Sequence, residues 1–263
     1  MDINLAELNS DNIKLISDEE FILIRDLIYE KVGINLTGQK KALVTGRLQK
    51  ILRDRKFKTF KDYYDFVVTD KTGEALSELV DKISTNHTFF GREYDHFNFF
   101  STKVLPEIVE RKRAERSNDI RIWSAGCSTG EEVYTLAMMV ASMLEVDDPM
   151  RVRILGTDIN SAALERARHG VYRDWSFRDM PSELVDTWFT EEMPGRYAVH
   201  PRLRDMVEFR QLNLVELASY PTGFDLILCR NVLMYFTRDV VSRIVQSFRR
   251  SLRDDGWLVP SMT

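Results

Sequence analysis

The chain has only two cysteines among 263 residues, Cys127 and Cys229, and no CxxC spacing. That excludes a disulfide framework and a thiolate zinc site, and leaves both thiols as small packing residues. Histidine is also scarce: His87, His96, His169 and His200 stand apart without ligand spacing, so no metal is expected. No apolar run approaches the roughly eighteen residues that a bilayer crossing needs. The opening MDINLAELNSDN has no basic stretch followed by an apolar one, as a secretory leader would. A cytoplasmic protein without membrane insertion is expected. Positive charge is not in excess either, with 37 Lys and Arg against 41 Asp and Glu, and a net charge of -4 argues against general nucleic-acid binding. Internal repeats, low-complexity tracts and a GxGxxG motif are all missing.

What is present suits a folded protein, with 44% apolar and 30% charged residues and chain enough for one large domain or two ordinary ones. Residues 1–85 read as helices only. Ser17 and Glu20 form a capping-box pattern ahead of FILIRDLIYEKVG, which Gly33 stops. A second helix is expected from about Gln39 to Arg55, with Val44, Leu48, Ile51 and Leu52 on one face and Arg47, Lys50 and Arg53 fanning over the other. Between Lys40 and Lys61 nine Lys or Arg stand against one acid, Asp54. Such a run is either a solvated helix face or a surface that steers toward an acidic partner, and composition alone does not choose. Short helices follow Thr59 with Asp62, and from Gly73 to Ser84.

The next stretch, STNHTFFGREYDHFNFF, reads as a linker whose phenylalanines plug the gap between two domains; Asn86, Thr88 and Arg92 do not serve such a plug. Residues 86–116 are this linker and a connecting helix, in which Pro106 predicts a kink or break. From 117 to 263 strands alternate with helices. Strands are expected at Ile120 to Ser124, Val152 to Thr157, Val207 to Leu212, Phe224 to Arg230 and from Trp257, with helices at Glu131 to Leu144, Ser161 to Arg168 and Asp239 to Leu252. This α/β alternation predicts a mainly parallel sheet with helices on both faces. A small β insert is expected at about 190–206.

In an open parallel sheet, ligands bind beyond the carboxyl ends of the strands. The stretch IWSAGCSTGEE, Ile122 to Glu132, reads as a strand turning sharply into a helix, with Gly126 and Gly130 supplying conformations or close approaches that a side chain would forbid. The helix N-terminus offers unpaired N–H groups to an anion, and Glu131 and Glu132 offer charge to a cation. Asp158, ending the second strand, can accept two ribose hydroxyls; alternatively it caps the following helix. Asn213 and Arg230 with Asn231 end the third and fourth strands. A nucleoside carrying an amino acid and a cation is S-adenosylmethionine.

STNHTFFGRE, RIWSAGCSTGEE, GTDIN, ARHGVY, QLNL and FDLILCRNVLMYF, in that order, resemble the CheR family of chemotaxis-receptor protein-glutamate O-methyltransferases from about Ser17 to the C-terminus. The resemblance implies a Rossmann-like methyltransferase domain with a small antiparallel insert behind an all-helical domain, and S-adenosylhomocysteine as product. Asn86, Thr88 and Arg92 look like the family's cofactor-contacting linker residues. Glu132, rather than Glu131, looks like the carboxylate facing the methionyl amino group. Gly126 belongs to the cofactor loop; Asp158 matches the ribose acid, Asn213 and Leu214 the adenine neighbours, Arg230 and Asn231 the cofactor-side loop. Arg92 and Tyr235 match residues near the transferred methyl. The helical domain is similar to the one that meets the receptors' cytoplasmic helices, which favours Arg47, Lys50 and Arg53 as receptor-binding. A glutamate acceptor, ionised at neutral pH with its reference pKa of about 4.3, needs no general base, which explains why no catalytic triad is found.

The chain departs from the family pattern in two places. TEEMPGRYAVHPRLRDMVEF leaves little room for the longer insert with which some members dock a receptor pentapeptide, so that tether is expected to be dispensable. The chain stops at PSMT, where the family pattern runs on. Two other readings remain, a non-catalytic S-adenosylmethionine-binding adaptor or sensor and a nicotinamide oxidoreductase, the second opposed by the missing GxGxxG.

Overall fold

The computed structural model describes residues 15–145 and 147–261 in two compact units, one ending at Ser84 and one starting at Thr85. The expectations for MDINLAELNSDN and for the last two residues lie outside the described ones.

The first unit is helical. Helix α1 (Asp18–Val32) starts on the expected capping box, in which Ser17 Oγ accepts from the Glu20 N–H at 3.1 Å and Glu20 Oε2 accepts from the Ser17 N–H at 2.9 Å. It ends at Gly33, whose left-handed φ of 73° lets the N–H close on Tyr29 O. A short 3₁₀ turn, Gly38–Lys40, leads into α2 (Lys41–Asp54), which buries Val44, Leu48, Ile51 and Leu52. A second capping box, Thr59 with Asp62, opens α3 (Phe60–Thr69), and α4 (Glu74–Ile83) completes the unit. The basic face of α2 needs a correction. Arg47 does not fan outward; its half-buried guanidinium donates to the carbonyls of Ile83 and Ser84, the open C-terminal end of α4, where a cation is favoured by sign and by hydrogen bonding. Lys50 is exposed and pairs with Asp54 at 2.6 Å, and Arg53 is exposed.

The second unit opens with one continuous helical run: α5 (Tyr94–Phe99), a π turn (Phe100–Val104) and α6 (Leu105–Ala114). The disturbance expected at Pro106 takes the form of that wide turn. The proline ring has no N–H to give and would strike the carbonyl four residues back, and an extra residue in the preceding turn moves the carbonyl aside. Farther on, Lys112 is fully buried, with its ammonium 2.6 Å from Asp225 Oδ1.

Strands and helices then alternate as β1 (Asp119–Ala125), α7 (Glu131–Met143), β2 (Arg151–Asp158), α8 (Ser161–His169), β3 (Val171–Arg173), α9 (Ser182–Trp188), β4 (Phe189–Met193), β5 (Arg196–Val199), α10 (Pro201–Arg204), β6 (Val207–Gln211), β7 (Phe224–Cys229), α11 (Arg238–Ser251) and β8 (Leu252–Pro260). The main sheet has the order β6-β2-β1-β7-β8 with every pairing parallel, a Rossmann-like arrangement. Successive residues of β1 point to opposite faces: Ile120 and Ile122 pack with Val133 and Leu136 of α7, and Trp123 and Ala125 with Ile244 and Phe248 of α11. Helices therefore cover both faces.

Two boundaries differ from the sequence reading. The insert is an antiparallel sheet of order β3-β5-β4 running from Val171 to Val199, so it starts well before 190, and residues 201–204 are helix. The last strand begins at Leu252, and its register with β7 shifts before Trp257 pairs with Leu226.

Candidate functional site

All five strands of the main sheet are parallel, so the loops after β1, β2, β6 and β7 gather at one edge. After β1 the chain turns through Gly126 (φ 82°), Ser128 (φ 51°) and Gly130 (φ 92°). The N–H groups of Gly126 and Cys127 both donate to Thr157 O, at 2.7 and 2.9 Å, which fixes the loop against the end of β2. A Cβ on Gly126 would stand 2.3 Å from Val232 Cγ2, and one on Gly130 would stand 2.8 Å from Ala167 Cβ. The close approaches that these glycines permit are thus to the protein's own side chains.

Asp158 is buried at the end of β2, where Oδ2 accepts from the Ser128 N–H at 2.7 Å and Oδ1 from the Asn160 N–H at 2.9 Å. It is not the cap of α8: Asn160 is, through its Oδ1 on the Ala163 N–H at 2.8 Å. Asp158 therefore serves the loop edge, where its carboxylate ties the turn after β1 to the end of β2. Beside it, the Ser128 hydroxyl is buried without a hydrogen-bond partner in the protein, which fits a polar group of a ligand.

The two carboxylates of GEE have separate environments. Glu131 is buried and accepts from Thr129 Oγ1 at 2.6 Å, and burial pushes its carboxyl above the usual value against that hydrogen bond. Glu132 is less enclosed, accepting from Ser124 Oγ at 2.8 Å and from Arg230 Nη1 at 2.9 Å. Burial raises both thiols, that of Cys127 helped by the Asp158 charge and that of Cys229 by Glu132, so neither is a nucleophile at neutral pH.

Arg230, only 2% exposed in its side chain, is the hub of the edge. Besides Glu132 it donates through Nη2 to Arg92 O at 2.7 Å and Glu93 Oε2 at 3.0 Å, and its plane lies over Phe97 at 4.8 Å. Its Nε–H is buried without a partner. Asn231, in the left-handed region at φ 57°, donates to Glu93 Oε1 at 2.9 Å. Glu93 carries no motif in the sequence, and the partners that tie it to this edge, Arg230 and Asn231, lie more than a hundred positions away, beyond the reach of any local signal.

The linker residues sit nearby in sequence. Arg92 Nη1 donates to His87 O at 2.7 Å, which folds the arginine back onto its own segment, and Asn86 and Thr88 are half-buried in the stretch before it. Phe90 is buried within the second unit, against Tyr172, Phe177 and Phe189 at centroid distances of 4.8, 5.1 and 5.0 Å. Tyr235 is half-buried at the end of a short 3₁₀ turn after Asn231. Asn213 turns the chain after β6, its Oδ1 on the Val215 N–H at 3.3 Å, and Leu214 is buried under that turn in the cluster around Trp123. The edge thus offers acceptors for hydroxyls, a carboxylate for a cation and an arginine N–H for an anion. Among the described residues no group of side chains is arranged to hold a metal ion, and no helix is long and apolar enough to cross a membrane.

Residues 86–260 match the family described as CheR methyltransferase, SAM binding domain, and residues 19–84 match the one described as CheR methyltransferase, all-alpha domain. The chain is 39% identical over 250 residues to the chemotaxis protein methyltransferase of Borreliella burgdorferi, covering 94% of this chain and 88% of that one. It is 35% identical to chemotaxis protein methyltransferase 2 of Pseudomonas aeruginosa, over 90% of this chain and 83% of the relative. To the chemotaxis protein methyltransferase of Escherichia coli it is 33% identical, over 92% and 83% respectively.

Proposed function

The chain belongs to the CheR methyltransferase family, and from that premise we propose that it methylates glutamate side chains in the cytoplasmic helices of chemotaxis receptors, using S-adenosylmethionine. The reading is carried by the buried, unpartnered Ser128 hydroxyl on a loop pinned to Asp158, beside the Glu132–Arg230 pair. This donor set suits an adenosyl amino acid: Asp158 and Ser128 for ribose hydroxyls, Glu132 for the ammonium, the Arg230 Nε–H for the carboxylate, and Asn213 with Leu214 for the base.

The donor supplies a methyl group already activated on a cationic sulfur. The protein need not remove a proton, because the acceptor carboxylate is ionised at neutral pH. Its work is alignment and exclusion of water. Arg92 and Tyr235 orient the incoming carboxylate by hydrogen bonds, loosely enough to leave the attacking oxygen nucleophilic. As that oxygen bonds to the methyl carbon, the sulfur–carbon bond breaks and its electron pair stays on sulfur, leaving a methyl ester and S-adenosylhomocysteine.

Lys50 and Arg53, exposed on α2, are assigned to the receptor surface, and Arg47 to holding α4 in place beneath it. The hairpin β4–β5 closes through Pro194 and Gly195 alone, which supports a receptor encounter that does not use a pentapeptide tether; tight capture of the protein by a receptor tail peptide would overturn that part. The function itself is tested by transfer of radiolabelled methyl to receptor fragments followed by alkaline hydrolysis. Volatile methanol is expected from a carboxyl ester, and a base-stable label would refute the assignment.

A further inference from the structure

Glu93 follows Gly91 at the start of α5 and holds a left-handed backbone, φ 58°, that a side-chain-bearing residue seldom adopts. Such a conformation is strained and persists only where surrounding contacts impose it. The contacts here are ionic. Its Oε2 accepts from Arg230 Nη2 at 3.0 Å and lies 3.1 Å from His96 Nδ1, and its Oε1 accepts from Asn231 Nδ2 at 2.9 Å and lies 3.8 Å from Arg92 Nε. Burial opposes its charge, but the Asn231 and Arg230 hydrogen bonds and the Arg230 charge outweigh it and hold the carboxyl below the usual range, so it is ionised at neutral pH.

The charge sum gives this contact a purpose. Glu132 is joined to Arg230 at 2.9 Å, and that pair taken alone is neutral, a poor receptor for a cation. Glu93 is the second carboxylate on the same guanidinium, so Glu132 shares the Arg230 charge instead of cancelling it alone and keeps negative charge for one ammonium, while Arg92, 3.8 Å away, faces the other oxygen of Glu93. Glu93 on Nη2 and Glu132 on Nη1 together hold Arg230 by both Nη atoms and leave its Nε–H unengaged.

We infer that Glu93 is a positioning residue of the methyl-donor site, holding Arg230 and Asn231 in place and supplying the negative charge that leaves Glu132 able to receive the donor's ammonium. This rests on the methyltransferase reading above. The test is Glu93→Gln, which keeps size and one acceptor oxygen but removes the charge, measured by calorimetric binding of S-adenosylmethionine and by steady-state methylation of a receptor fragment. Donor affinity is expected to fall about tenfold or more, as for loss of one charge contact at a partly buried site, with KM for the donor rising in step, kcat changing less than about threefold, and the loss shrinking in high salt. Unchanged donor affinity in a folded Glu93→Gln, or equal losses in kcat and affinity at every salt concentration, would overturn the inference. Should Glu93→Gln not fold, Glu93→Asp decides: keeping the charge, it should hold donor affinity within about threefold, and a loss as large as tenfold would refute a role through charge. Failure of the underlying reading is separable, because the unmodified protein would then bind no donor at all.

Discussion

Arg92 is proposed to act on the rate of transfer and not on the holding of the donor. Its guanidinium is braced by His87 O, so it stands on its own segment rather than on the loops that surround Asp158 and Ser128. Arg92→Ala is therefore expected to lower turnover by about ten- to a hundredfold while donor affinity changes little, since misplacing one reactant is costly in rate. Single-turnover methylation checks this, and a rate equal to that of the unmodified protein would remove Arg92 from the transfer step. Glu131 is the opposite kind of residue, a carboxylate whose burial lifts its folded-state pKa above the unfolded value. Its contribution to stability is complete below the unfolded pKa and is lost as pH rises through the folded one, so at neutral pH it is a burden. Glu131→Gln should raise Tm by about 2–4 °C at pH 8, a gain that fades toward pH 4 as the native carboxyl becomes protonated. Melting curves at the two pH values measure it.

At the scale of elements, the site edge is held by contacts between loops as much as by any affinity for ligand. Gly126→Ala sets a Cβ into Val232 and forces a positive φ on alanine, so a loss of about 2–4 kcal/mol is expected in chemical denaturation. Trimming the neighbour in Gly126→Ala with Val232→Ala should return the steric part and leave the backbone part. The opposite edge of the sheet relies on one buried ion pair. Asp225 gathers Lys112, Arg111, Arg253 and the Arg121 N–H, so Asp225→Asn strands a buried ammonium and is expected to cost about 3–5 kcal/mol. These elements also show what could be read in advance. The periodicities, the capping boxes and the glycine turn are local, and apart from the insert and the start of the last strand they appear where the sequence places them. Lys112 lies in ERKRAERSND, which reads as a solvated run until Asp225 arrives from a strand more than a hundred positions away. Arg47 reads as part of a basic helix face for the same reason, its partner being the end of another helix. Strand β3 is three residues long, too short for alternation to register. Glu93, the densest contact at the site, left no sign at all, because a charge network between remote segments has no period.

At the scale of the whole molecule, charge is unevenly shared. A chain of net charge -4 concentrates nine basic residues against one acid between Lys40 and Lys61. Lys50→Glu with Arg53→Glu is expected to slow methylation of receptor fragments about tenfold at low salt, with less effect as ionic strength rises, while donor affinity stays as it was. Arg47→Ala should instead lower the melting temperature of the helical unit, since it removes the donor to the carbonyls that end α4.

The central strand β1 carries a consequence for the order of assembly. It meets β2 soon after in the chain, but its other neighbour is distant, Ile122 pairing with Leu226. Trp123 cannot reach its native surroundings, with Phe224 at 5.4 Å and Phe248 at 5.2 Å, until β7 and α11 have arrived. Contacts so far apart form late. During synthesis the Asp158 part of the loop edge therefore exists before the Arg230 part, and the two meet only once β7 has left the ribosome.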